Sequence, residues 1–225
     1  MKIWFRTIGV AAATVVLASC AHVTDATKTA NLIAAAQDTV QAMKRSPNIR
    51  GFNKMLADAQ GVAVFPALIK GGLLIGAEGG SGVVLSRKAD GSWGYPAFYT
   101  LAAGSFGLQA GVQTAGVILV IRKKKAIEAI VKHQGKLGAD ISAAAGSRGV
   151  GYEGAVTTNL NFDIVAFASN SGFFAGASLE GSALIRRNDY NRAYYGGNPT
   201  PAQILLEHTV QNPAADRLRR AIAGG

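Results

Sequence analysis

The sequence contains a single cysteine, Cys20, among 225 residues. A disulfide within one chain needs two cysteines, so this chain has none. A structural zinc site made of several thiolates is excluded for the same reason. The fold must therefore be stabilised by packing and hydrogen bonding rather than by covalent cross-links.

Histidines and catalytic motifs are also scarce. The chain has three histidines, His22, His133 and His208, and no pair of them shows metal-ligand spacing. Ser178 follows Gly176 at the right spacing for a hydrolase nucleophile elbow, but Glu180 stands where the second glycine belongs. We therefore predict a non-enzymatic protein without a metal or cofactor. The enzymatic alternative requires a cleft that joins carboxylates such as Asp140 and Glu180.

Apolar runs long enough to span a membrane are missing at the amino terminus. The stretch Ile8–Leu17 falls short of the roughly 20 residues that a transmembrane helix needs. Lys2 and Arg6 precede this stretch and small residues follow it, which is typical of a secretory signal. We expect residues 1–19 to be a cleaved signal peptide.

The end of this segment, Leu17–Cys20, has the sequence Leu-Ala-Ser-Cys, an aliphatic residue and two small residues before a cysteine. This lipobox pattern predicts that Cys20 is lipidated and that residues 20–24 form a tether, because two or three acyl chains hold a protein firmly on a membrane. The alternative is an ordinary signal peptide with a stray cysteine. Ala21 is not the aspartate that retains lipoproteins at an inner membrane. The expected localisation is therefore the periplasmic face of an outer membrane.

Acidic residues are few. The chain has 23 Lys and Arg against 13 Asp and Glu, and the excess is still +8 without Lys2 and Arg6 of the predicted signal. Such a charge favours polyanions, which in an envelope are anionic phospholipids, lipopolysaccharide or peptidoglycan. Nucleic acid is excluded by the predicted compartment. The alternative is a basic charge that serves solubility alone.

Helices are predicted at both ends of the chain and in its middle. Apolar residues recur every three or four positions in Asp25–Arg45, and we expect this face to pack on the domain core, with membrane insertion as the alternative. A short helix follows over Arg50–Ala59, and a basic helix is predicted over Arg122–Lys132. Two more are predicted, one from Pro201 to before Asn212 and one over residues 214–223.

The segment between Gly61 and Ile185 predicts a glycine-rich sheet. We expect strands at residues 62–65, 73–77, 82–87, 95–101, 105–112, 115–121, 139–144, 161–168 and 174–185. The connections are too short for repeated crossover helices, so the sheet should be mostly antiparallel, and its internal glycines indicate strong, barrel-like curvature. The prediction is a single α+β domain over residues 25–225.

A glycine-rich segment, Gly76–Gly82, superficially resembles a phosphate-binding loop. Such loops open a helix whose amides face the anion, whereas here the strand residues Val83 and Val84 follow. We therefore predict a β-turn over this segment.

Basic residues are the best candidates for a binding site. Those at the junction of the first two helices and at the start of the middle helix are Lys44, Arg45, Arg50, Lys54, Arg122, Lys123, Lys124 and Lys125. Near an anionic membrane each contributes about 1 kcal/mol, so several acting together would bind it. The alternative is a solvated helix surface.

Six short motifs carry a family resemblance. They are Lys70–Gly72, Gly80–Leu85, Trp93–Tyr99, Gly104–Gly111, Leu137–Asp140 and Phe173–Ser182. In order and spacing they resemble the SYLF domain family over about residues 30–206.

The resemblance implies a lipid-binding module. Eukaryotic relatives bind phosphoinositides, some also bind actin, and some carry a Src-homology or FYVE module. The helix Asp25–Arg45 with Lys28 and the motif residue Lys70 would correspond to lipid-binding parts of the family. Because we expect an envelope location, we predict anionic phospholipids as ligands and no actin binding. The alternative is a structural envelope protein that contacts peptidoglycan or a protein partner.

Overall fold

The computed structural model describes residues 24–72, 75–106, 111–133, 136, 141–145, 162–170 and 181–224. The predicted signal peptide, Cys20, Asp140 and Glu180 lie outside these residues. The described part is an α+β fold with a curved sheet, as predicted.

The sheet has seven strands in the described residues. They are β1 (Gly61–Gly72), β2 (Ile75–Ser86), β3 (Ala97–Phe106), β4 (Gly111–Ile121), β5 (Ala143–Ala145), β6 (Ile164–Ala168) and β7 (Ala183–Arg186). Their order is β5-β6-β4-β1-β2-β3-β7, and every neighbouring pair is antiparallel except β5 and β6. The mostly antiparallel sheet that the short connections predicted is confirmed.

The centre of the sheet bends at a bulge in β1. The register of β1 against β4 shifts between Phe65 and Leu68. Glycines in β2 let the bulged backbone come close: a Cβ on Gly82 would lie 2.3 Å from the carbonyl oxygen of Val64, and one on Gly80 would lie 2.4 Å from that of Ala67. The glycines predicted from sequence to curve the sheet therefore do so by allowing close approach of two strands.

The prediction of a β-turn over residues 76–82 is wrong. These residues lie inside β2 and all pair with β3, while residues 76–79 also pair with β1 on the other side. Residues 75–77 and 82–86, predicted in two separate strands, thus belong to one long strand. Glycine-rich sequence favours turns, but here the glycines are needed to accommodate the neighbouring strand.

Helices cover both faces of the sheet. They are α1 (Asp25–Arg45), α2 (Phe52–Ala57), α3 (Lys124–His133), α4 (Asn188–Tyr195), α5 (Pro201–Leu205) and α6 (Asp216–Ala223), with a 3₁₀ turn at Pro213–Ala215. Thr24 caps α1, its side chain accepting a hydrogen bond from the Thr27 amide, and Thr200 forms a capping box with Gln203. No helix in the described residues is long and apolar enough to cross a bilayer.

The sheet separates two hydrophobic clusters. Alternate residues of β1 point to opposite faces, so that Val62 and Val64 pack under α1, α2, α4 and α6, whereas Ala63 and Phe65 pack under α3 and α5. Val40 of α1 is fully buried in the first cluster. The prediction that α1 packs on the domain core is confirmed.

Candidate anion-binding surface

The carboxyl-terminal ends of α1 and α6 meet beside α2 and leave an open cleft of about 610 Å³. We call it the basic cleft, and it is lined by Gln41, Lys44, Arg45, Asn53, Leu56, Ala57 and residues 221–224. It brings together the two basic residues that end α1. Arg50 and Lys54 follow them in the short segment that leads into and through α2, and neither residue belongs to the lining of the cleft.

Local chain geometry brings α2 back beside α1. The amide of Ser46 donates to the carbonyl of Met43 and ends α1. Gly51 has a left-handed φ of 78°, which lets the chain turn into α2 without steric cost. Asn53 then donates from Nδ2 to the carbonyl oxygen of Lys44 at 3.2 Å. Asn53 thus satisfies one of the free carbonyls at the end of α1.

Lys44 is part of the fold. Its Nζ donates to the carbonyl oxygens of Ala221 and Ile222, the latter at 3.1 Å, so it caps the carboxyl-terminal end of α6. The side chain is half-buried, and this burial lowers the pKa of Lys44. The sequence predicts Lys44 as a ligand-binding residue, but in the fold its ammonium group already donates to two protein acceptors.

Three other predicted cations remain open to solvent: Arg45, Arg50 and Lys54 are all exposed. Arg45 makes one long hydrogen bond, 3.5 Å from its Nη1 to Oε1 of Gln41. In the described part of the chain, no carboxylate oxygen lies within 4 Å of any of the three cations. The sequence has no acidic residue between Asp38 and Asp58. These three side chains are accordingly available for an external anion.

Lys28 and Lys70 lie apart from the basic cleft. Lys28 is sixteen residues from Lys44 in the same helix, about 24 Å along its axis. Its Nζ is 2.9 Å from a carboxylate oxygen of Asp25, and this hydrogen bond raises the pKa of Lys28. Lys70 lies in β1 directly opposite Glu78 of β2. Burial raises the pKa of Glu78, and the charge of Lys70 acts in the opposite direction.

The basic run at residues 122–125 is divided by the fold. Lys123 and Lys125 place their Nζ atoms 2.9 and 3.2 Å from Oδ1 of Asp163. Arg122 donates from Nη1 to the carbonyl of Phe162 at 3.3 Å. Lys124 instead lines a different cavity, between α3 and the turn after α5. The four basic residues that the sequence predicts as lipid-binding therefore have different surroundings in the fold.

Asp163 is the acidic residue around which this region is organised. Its side chain is only 5% exposed, and Ser142 donates to it from both the amide and the hydroxyl group. Burial alone would raise the pKa of Asp163, but the hydrogen bonds from Lys123, Ser142 and Lys125 outweigh it and lower the pKa to about 2. The aspartate is thus a fixed counter-charge that ties α3 to the end of β6.

Two contributors were not predicted as site residues from sequence. Asn53 carries no motif, and its role depends on the turn at Gly51. Asp163 directly precedes the apolar strand β6, and its role appears only when α3 packs beside it. In the described residues, no group of three or more His, Cys, Asp or Glu side chains could hold a metal ion.

Comparison with known proteins identifies relatives. The family model described as "Ysc84: Las17-binding protein actin regulator" matches residues 102–224, more than half of the chain. SH3 domain-containing YSC84-like protein 1 of Xenopus laevis is 34% identical over 160 residues, 71% of this chain and 48% of that protein. Its human counterpart is 34% identical over 165 residues, with 73% and 48% covered. Protein YSC84 of Saccharomyces cerevisiae is 32% identical over 171 residues, with 75% and 36% covered.

Two predictions are corrected by these findings. The prediction of no actin binding is contradicted, because the matching family model is described as a Las17-binding actin regulator and a yeast relative is named LAS seventeen-binding protein 3. The predicted localisation at the periplasmic face of an outer membrane is also wrong, because the relatives are vertebrate and yeast proteins. The alternative of peptidoglycan contact depended on that localisation and is therefore not proposed.

The chain spans about half the length of the vertebrate relatives that it matches. The family model is described as a binding protein and actin regulator, and a yeast relative is named as a binding protein, so neither is named as an enzyme. The ordered glycine-rich motifs, the matched family model and the similarity over some three quarters of the sequence agree. The chain therefore belongs to the Ysc84-like family of SYLF domains.

Proposed function

We propose that this chain is a non-catalytic binding module in which Arg45 of the basic cleft and the nearby exposed cations Arg50 and Lys54 bind the headgroups of anionic phospholipids. The observation that carries the proposal is the exposure of Arg45, Arg50 and Lys54 with no described carboxylate within 4 Å. An unpaired cation at an anionic membrane contributes about 1 kcal/mol, so three contribute on the order of 3 kcal/mol.

The chemistry of these three cations suits phosphate. A guanidinium group presents parallel N–H donors that match two phosphate oxygens, and two of the three open cations are arginines. Lys44 and Asn53 do not compete for the ligand, because both are hydrogen-bonded to backbone carbonyls. They hold α1, α2 and α6 together, so the open cations project from a rigid base.

Vesicle flotation tests this proposal. A form of the protein that begins at Thr24 keeps every described helix and strand. We expect it to float with vesicles that contain phosphatidylserine, less so as sodium chloride is raised, and hardly at all with phosphatidylcholine alone. Binding that is indifferent to anionic lipid and to salt would contradict the proposal.

A protein partner in actin regulation is the second candidate function, and the description of the family model supports it. An acidic protein surface could use the same three cations. Cosedimentation of the Thr24 form with actin filaments, with and without competing phosphatidylserine vesicles, separates the two. Filament binding without vesicle flotation would favour the partner over the lipid.

Acylation of Cys20 remains a separate proposal, supported by the sequence Leu17–Cys20 and testable by itself. In cells that produce the protein, an alkyne-labelled fatty acid should appear on the full chain and not on a Cys20→Ser variant. Label retained on the variant would refute the acylation site. The described domain begins after Cys20, so its melting temperature should be the same in both proteins.

A further inference from the structure

A second cavity, of about 480 Å³, lies between α3, the turn that follows β2 and the end of α5. Its lining is Ser86, Arg87, Ala89, Lys124, Ile127, Glu128, Lys132, Leu205, Leu206 and His208. It shares no residue with the basic cleft, so what it binds is a question independent of the proposed function.

The apolar wall of this cavity is fixed by the turn after α5. The amides of Leu206 and Glu207 both donate to the carbonyl of Ala202. His208 has a left-handed φ of 54°, unusual for a residue other than glycine. Leu206 remains 40% exposed, whereas Leu205 is buried. The turn thus holds one leucine at the cavity mouth.

The charged wall is one face of α3. Lys124, Glu128 and Lys132 are spaced four residues apart and line the cavity together. The two lysines are about 12 Å apart along the helix axis. In the described part of the chain, no carboxylate oxygen lies within 4 Å of either lysine ammonium group.

The other basic groups of the cavity do not add free charge. Arg87 uses its guanidinium group to donate to the carbonyls of residues 56, 57, 59 and 91. Burial, followed by the charge of Lys88, lowers the pKa of His208 and so disfavours the charged form of its imidazole. The open positive charge is therefore carried by Lys124 and Lys132, at the two ends of the charged wall.

We propose that this cavity binds an extended acidic peptide segment that has two carboxylates about four residues apart and an apolar side chain between them. Four residues of extended chain span about 13 Å, which matches the separation of Lys124 and Lys132. The central apolar side chain would contact Ile127 and Leu206. Glu128, midway between the lysines, disfavours a single compact anion such as phosphate at the centre.

Fluorescence anisotropy with the full-length protein tests the proposal. The probes are fluorescein-labelled decapeptides of glycine and serine, each with one leucine midway between two glutamates that are two, four or eight residues apart. We expect the four-residue spacing to bind about fivefold more tightly than either of the others. Replacing both glutamates by glutamine should abolish binding. Equal affinity for all three spacings would overturn the proposal, because it would show unspecific charge attraction.

Variants of the protein test whether the peptide binds in this cavity. Lys124→Glu with Lys132→Glu should weaken the best peptide about tenfold or more, and Leu206→Ser should weaken it several-fold. The control is Arg217→Glu with Arg220→Glu, which makes the same change of net charge at exposed positions of α6. Equal loss in the control would overturn the proposal. So would competition by sodium phosphate at matched ionic strength, or vesicle binding that depends on Lys124 and Lys132 while peptide binding does not.

Discussion

At the scale of single residues, the availability of each cation is decided by neighbours that are distant in sequence. Lys44 and Arg45 are adjacent in α1, yet successive helical side chains point about 100° apart. Lys44 faces the end of α6 and donates to its carbonyls, while Arg45 faces solvent. Composition and spacing show where the basic residues are, but the difference between a structural and a free cation depends on an element some 175 residues later in the chain.

Lys44→Met is therefore expected to destabilise the protein. The variant keeps an apolar stem but removes the ammonium group that satisfies two carbonyls at a helix end, which should cost about 1–2 kcal/mol. Arg45→Met is the matched control and should change stability by less than about 0.5 kcal/mol. Urea denaturation measures both. Equal stability of the two variants would show that Lys44 does not cap α6.

Asp163 gives a pH-dependent prediction. Its pKa of about 2 lies below the ordinary value near 3.9, so ionised Asp163 contributes stability that is complete above about pH 5 and is lost as the pH falls towards 2. Asp163→Asn should cost about 1–2 kcal/mol at pH 7, and this difference should shrink at pH 2. The exposed Asp38→Asn is the control. A cost independent of pH would contradict the role assigned to the Lys123 and Lys125 ion pairs.

At the scale of elements, helix α1 is readable from sequence, whereas α4 is not. The apolar repeat of α1 predicts its bounds at Asp25 and Arg45, which the structure has. The α4 helix has no aliphatic repeat: it packs through tyrosines, and its fully buried residue is Asn191, which accepts from the Phe98 amide. A buried asparagine looks polar in a sequence, and only its strand partner explains it.

The close contact between β1 and β2 yields a prediction about a glycine motif. Gly82→Ala should destabilise the fold by at least about 2 kcal/mol, because the added methyl group would lie 2.3 Å from a backbone oxygen and 2.4 Å from the ring of Phe65. Gly104→Ala in β3 is the control, since a Cβ there meets nothing within 4 Å. Thermal unfolding of both variants tests this prediction. Similar melting temperatures would contradict the close approach of the two strands.

At the scale of the whole molecule, the sequence predicts the fold class and the family but only part of the candidate site. Hydrophobic periodicity and the placement of glycines depend on neighbours in the sequence, so both can be read from the sequence alone. The basic cleft, in contrast, forms only where three helices meet. The ten predicted site residues other than Cys20 therefore divide into cations that have partners within the fold and cations that remain exposed to solvent. Positive charge in the sequence is therefore necessary evidence for an anion-binding site, but it is not sufficient. The tertiary contacts of each cation determine whether that cation is free to bind an anion.

Charge reversal at Arg45 of the basic cleft and at the two nearby cations tests the central proposal most directly. The triple variant Arg45→Glu, Arg50→Glu and Lys54→Glu changes exposed side chains only, so its folding should be nearly unchanged. The control reverses Lys28, Arg217 and Arg220, giving the same net charge at other sites. Flotation with phosphatidylserine vesicles should fall about tenfold or more for the cleft variant and at most about twofold for the control. Equal losses in the two variants, or full flotation of the cleft variant, would contradict the assignment of lipid binding to these three cations.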